Sequence, residues 1–108
     1  QYWYALMTPV FELVLSSPAT VWVCMDDVVA LLALEFLRQA GRAGTISVVG
    51  FDDTGGARTA GLSSYNFNTF AVAQAAFDFL ISGKCSGPGP EREYEGYLVD
   101  RASTRGQG

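Results

Sequence analysis

Two short apolar strand-like runs, separated by a long apolar helix-like run, constrain the chain more than any other feature. "ATVWVC", residues 19–24, is rich in β-branched and aromatic types, which predicts a strand buried on both faces. "MDDVVALLALEFLRQAG" follows. Asp26 or Asp27 can cap a helix there, Glu35, Arg38 and Gln39 mark a narrow polar edge, and Gly41 supplies a C-terminal stop. "TISVVGF" then reads as a second strand, reached by a connection long enough for a right-handed parallel crossover. Residues 20–51 are therefore expected to form a strand–helix–strand unit, and the fold class is α/β with a parallel sheet flanked by helices.

The rest of the pattern extends this unit. Thr8 and Pro9 look like the cap and first residue of a helix over "VFELVLSS", while Gln1 to Met7 are assigned to no element. "GLSSYNF" reads as a third, weaker strand after a Gly-rich loop. Asn68 or Thr69 can cap a helix over "FAVAQAAFDFLIS", ended by Gly83. "GKCSGPGPERE" is a flexible loop by composition, and "YEGYLVDRAST" is a final extended segment.

Composition excludes several functions. At 108 residues the chain supports one core, and a formal charge of -4 with scattered Lys and Arg offers no surface built for phosphate backbones. No window reaches the roughly 18 apolar residues of a membrane span. The absence of histidine removes the commonest general base and most zinc sites. Cys24 and Cys85 lack metal-ligand spacing and read as two reduced, incidental thiols. No catalytic residue, metal ligand or cofactor is assigned. The chain starts at Gln1, as a processed product or a piece of something longer would.

Both acidic pairs, Asp26–Asp27 and Asp52–Asp53, directly follow predicted strands. In an open parallel sheet, ligands bind outside the carboxyl ends of the strands, so one carboxylate from each pair can converge on a ligand. Asp also caps helices and starts turns, so one member of each pair is expected to be structural. Asp27 is assigned to the cap and Asp53 to the loop; Asp26 and Asp52 are assigned to the ligand crevice. Ionised carboxylates only accept hydrogen bonds, which fits a sugar or polyol and disfavours an anion. Gly50 and Gly55 have the outer spacing of a phosphate-binding loop, but the Lys and Ser or Thr it requires are missing.

"TVWVCMDDVVALLAL", "LRQAG" and "ISVVGFDD", followed by "LSSY" and "LVDRAST", resemble in order and spacing the C-terminal part of the effector-binding domain in the lactose/galactose-repressor (LacI/GalR) family. The resemblance runs from about Ala19 to Thr104. It implies part of a type I periplasmic-binding-protein-like fold, two lobes with the ligand between them. Residues 19–65 would belong to the C-terminal lobe, 66–97 would return to the N-terminal lobe, and 98–104 would close the crossover. It further implies that Asp52 and Asp26 bind a sugar-like effector, with Asp26 standing where the family usually has Asn. "YNFN" departs from the family's usual "VRQP"; Phe67 and Asn68 are the candidate contacts there, with stacking on a sugar or a core role both open for Phe67.

The implied function is the effector domain of a cytoplasmic transcription regulator, homodimeric in its parent protein, with DNA bound only through a region outside these residues. The alternatives are a periplasmic or secreted sugar-binding protein of the same superfamily and, from another class, a Mg²⁺-dependent enzyme using the clustered Asp residues.

Overall fold

The structure, a computed structural model, describes residues 2–83, 87, 89 and 91–105. Its elements run α1 (Tyr2–Leu15), β1 (Val21–Val23), α2 (Asp27–Gln39), β2 (Ser47–Phe51), α3 (Gly55–Ala60), β3 (Ser63–Asn66), α4 (Thr69–Ile81), β4 (Tyr97–Val99) and a 3₁₀ turn (Ala102–Thr104). The four strands form one sheet in the order β1-β2-β3-β4. The first three are parallel, with Trp22 opposite Val48 and Gly50 opposite Ser64, and β4 returns antiparallel with Tyr65 opposite Leu98. The expected strand–helix–strand unit is present as β1-α2-β2.

α2 buries Ala30, Ala33, Phe36 and Leu37, spaced three and four apart, as an amphipathic helix on a sheet requires. Phe11 of α1, Trp22 of β1 and Phe36 of α2 meet with ring centroids 5.4–6.4 Å apart and form the aromatic part of the core. Val48 and Leu62 are fully buried. The closing segment is tied to the amino ends of the strands: Ser103 Oγ donates to the Val48 carbonyl at 2.6 Å and accepts from Ser63 N at 2.7 Å.

Four expectations are corrected. α1 begins at Tyr2, with Pro9 inside it. Pro9 removes one intrahelical donor, but Tyr4, Met7, Val14 and Leu15 pack against the core on both sides of it, and that packing outweighs one lost bond. Thr8 does not cap: its hydroxyl donates back to the Tyr4 carbonyl at 2.8 Å. β1 buries only Trp22, leaving Val21 and Val23 exposed, because it is an edge strand covered on one face. The Gly-rich loop contains α3, capped by the Thr54 hydroxyl and stopped by Gly61 at φ 69°. The predicted flexible loop falls largely on residues 84–90, and Lys84 and Cys85 lie outside the described residues. Cys24 is a free, buried thiol whose pKa is pushed up to about 11 by burial and then by the Asp26 charge.

Candidate functional site

The parallel register brings the carboxyl ends of β1, β2 and β3 to one edge of the sheet. Cys24 N donates to the Val49 carbonyl and Asp52 N to the Tyr65 carbonyl, each at 2.9 Å, so the two acidic pairs and residues 66–68 emerge side by side.

Within the first pair the capping assignment is reversed. Asp26 is the N-cap of α2, with extended backbone and Oδ1 accepting from Val29 N at 2.9 Å. Asp27 is 1% exposed and accepts three hydrogen bonds from residues distant in sequence. Thr54 donates through its N–H at 2.7 Å and its hydroxyl at 2.9 Å to Oδ2, and the Ser64 hydroxyl donates at 2.6 Å to Oδ1. The reason is geometric: the first Asp precedes the helical turn whose N–H groups need an acceptor, whereas the second already lies in the helix and points inward at the β2–α3 loop. Burying that carboxylate costs free energy that the three donors, and its place in the first turn of α2, offset.

Gly50 is part of the same fit. A Cβ on Gly50 would overlap Asp27 Oδ1, with the Ala30 Cβ at 3.1 Å and the Asp27 Cα at 3.2 Å. The glycine in "VGFDD" thus makes room for the carboxylate behind the strand.

In the second pair Asp53 is the member held by the loop's partners. Asp53 is half-buried; Oδ1 accepts from Arg101 Nη2 at 2.6 Å and Oδ2 from Asn66 Nδ2 at 3.0 Å. Burial pushes its carboxyl up, but the hydrogen bonds from Asn66 and Arg101 and the charges of Arg101 and Arg58 outweigh burial and hold it below the ordinary value. Asp52 is exposed, and its carboxylate takes no hydrogen bond among the described residues. Both residues have positive φ, 98° at Asp52 and 49° at Asp53.

Phe67 is half exposed and forms a three-ring cluster with Phe51 and Tyr65, with centroids 5.1–5.9 Å apart. It therefore packs against the Phe51 and Tyr65 rings while about half of its surface stays open. Asn68 occupies the N-cap position of α4 at φ 58°, yet its side chain makes no capping bond and instead donates to the Glu95 carbonyl at 3.3 Å.

Sequence reasoning missed Thr54, Ser64, Asn66 and Arg101 as the residues that hold the two Asp loops. Thr54 had a readable signal, a capping residue three before Ala57. The others act across 13 to 48 residues of chain, and only the sheet register places them. Neither of two concavities, of about 790 Å³ beside α4 and about 440 Å³ between α1 and β1, is lined by Asp26, Asp52, Phe67 or Asn68, although the second runs along Cys24, Met25 and Val29 next to Asp26. Among the described residues no group of three or more His, Cys, Asp or Glu is arranged to hold a metal ion, and no helix is long and apolar enough to cross a membrane.

A family model described as "periplasmic binding protein-like domain" matches residues 2–104. A comparison with curated protein sequences gives no match. Among solved structures, a probable transcription regulator from Thermus thermophilus is 33% identical over 93% of this chain and 40% of its own, with a TM-score of 0.72. A LacI transcriptional regulator from a Rhodococcus species is 26% identical over 94% of this chain and 40% of its own, with a TM-score of 0.78. A LacI family transcriptional regulator from Enterococcus faecium, solved with bound ribose, shares the fold at 19% identity over 90% of this chain and 38% of its own, with a TM-score of 0.76. The chain spans about two fifths of the length of these structures.

Proposed function

Because the chain belongs to the periplasmic binding protein-like domain family, with LacI-family transcription regulators as structural neighbours, we propose that it forms part of a regulator's effector-binding domain and helps to hold a sugar-like small molecule in a cleft between two lobes. The observation that carries this reading is Asp52. It is an exposed carboxylate at the carboxyl end of β2, one strand in from the β1 edge, with no partner among the described residues, on backbone fixed on both sides. Such a group only accepts hydrogen bonds and suits paired hydroxyls. Asp26 stands one strand away. The open part of Phe67 offers an apolar surface for a sugar ring, and Asn68 borders the same side.

The lobes divide as the sequence resemblance implies. Residues 19–65 carry β1 to β3 with α2 and α3, residues 66–97 contribute α4 to the other lobe, and residues 98–104 return through β4, which joins the same sheet beside β3. α4 supports this division, since it buries no residue against the described part of the chain. DNA recognition, dimerisation and a cytoplasmic location then belong to the whole regulator. A sugar-binding protein of the periplasm is the second reading, favoured by the family description itself; a DNA-binding segment in the full-length gene product decides against it.

The test is titration calorimetry of the full-length gene product with a panel of free pentoses and hexoses that includes D-ribose. Asp52→Asn exchanges one acceptor for a donor and is expected to weaken the best-bound sugar by roughly ten-fold to a hundred-fold, the value of one charge-assisted hydrogen bond. Unchanged affinity in Asp52→Asn overturns the site, and no binding by any panel sugar overturns the sugar-like class.

A further inference from the structure

Asp52 combines two properties that conflict. It is a non-glycine residue at φ 98°, a conformation that a Cβ makes costly, and among the described residues its own carboxylate makes no bond that would offset the cost. The constraint comes instead from the backbone around it. Three successive N–H groups are each held by a different acceptor: Asp52 N by the Tyr65 carbonyl at 2.9 Å, Asp53 N by Ser64 Oγ at 2.9 Å, and Thr54 N by Asp27 Oδ2 at 2.7 Å. Two of the three lead to one residue, because the Ser64 hydroxyl that accepts from Asp53 N donates in turn to Asp27 Oδ1 at 2.6 Å. Asp27 itself is 1% exposed, so an effector in a cleft does not reach it.

We propose that Asp27 is a positioning residue: acting through Ser64 and Thr54, it holds Asp52 in its left-handed backbone conformation and so sets how the exposed carboxylate is presented to the effector. The presentation half rests on the effector reading above; the positioning half does not. Both Asp27 oxygens are needed. Oδ1 orients Ser64, whose hydroxyl can then accept from Asp53 N, and Oδ2 fixes the residue after it. Asp52 is left between anchored neighbours, with no freedom to relax toward negative φ.

The experiment is a thermodynamic cycle in the full-length gene product, using melting temperature as the ligand-independent readout. Asp52→Gly removes the Cβ that makes this φ costly and is expected to raise the melting temperature by about 2–4 °C in the native background. In the Ser64→Ala or Asp27→Asn background residue 52 is free to relax, and the same glycine is expected to give no gain. An equal gain in all backgrounds, or none in the native one, overturns the positioning role. Should Asp27→Asn fail to fold, Ser64→Ala carries the cycle alone.

The second readout is affinity for the best-bound sugar of the panel. Ser64→Ala is expected to weaken it about ten-fold, while Leu37→Ala, a core change far from the loop, leaves it unaltered despite lowering the melting temperature. Wild-type affinity in Ser64→Ala, or an equal loss in Leu37→Ala, overturns the presentation half. If the native protein binds no panel sugar, the effector reading fails and the cycle alone decides the positioning half.

Discussion

Replacing Asp26 by Ala removes a helix cap, whereas replacing Asp27 by Ala removes the acceptor of three hydrogen bonds. The first change is expected to cost about 1 kcal/mol. The second leaves a fully buried hydroxyl and an amide without their acceptor and is expected to cost about 3 kcal/mol or more. Urea unfolding of both variants of the full-length gene product measures the order; equal costs would mean that the two neighbours have been assigned the wrong duties. Asp53 adds a dependence on pH. Its folded pKa lies below the ordinary value of about 3.9, so its stabilising effect is complete above that value and is lost as pH falls through the folded one. The melting-temperature gap between the native protein and Asp53→Asn is therefore expected to narrow as the pH is lowered from 6 to 3; a constant gap would show that the charge on Asp53 contributes nothing.

At the scale of elements, what could be read in the sequence depended on how local each signal was. β1 and β2 were legible from their β-branched and aromatic runs, and α2 and α4 from long apolar stretches bounded by polar starts and the glycines at 41 and 83. α1 was read seven residues short because Pro9 has the local signature of a first turn, while the side chains that extend the helix are recognised only by the core they meet. α3 was hidden because Gly55 and Gly56 look like loop, and its six residues are too few to show a period. The candidate site was half legible. The positions of both carboxylate pairs followed from strand ends, but which member is anchored depended on distant partners: Thr54 and Ser64, 27 and 37 residues from Asp27, and Arg101, 48 residues from Asp53. Arg101 was visible only as a letter in "LVDRAST" until β4 was laid against β3 and its guanidinium reached Asp53 and the Leu62 carbonyl.

At the scale of the whole molecule, the described chain is extended for its length. Its radius of gyration is 18.0 Å, against about 13 Å for a compact domain of this size. The excess reflects α4, which leaves Phe70, Phe77 and Ile81 exposed. If α4 belongs to a second lobe, its amides in the full-length gene product should resist hydrogen exchange about as well as those of α2. Exchange in α4 as fast as in an unstructured segment would remove the two-lobe division, and with it the cleft.

The fit between Gly50 and Asp27 has a consequence for how such sequences can drift. The two positions are 23 residues apart and belong to motifs that look independent, yet the oxygen of one occupies the volume of the other's missing methyl group. A lineage cannot enlarge residue 50 while residue 27 keeps its carboxylate, nor does it gain from keeping the glycine once the carboxylate is gone. The two positions are thus expected to change together, with a side chain at position 50 in related sequences where position 27 has become smaller than Asp.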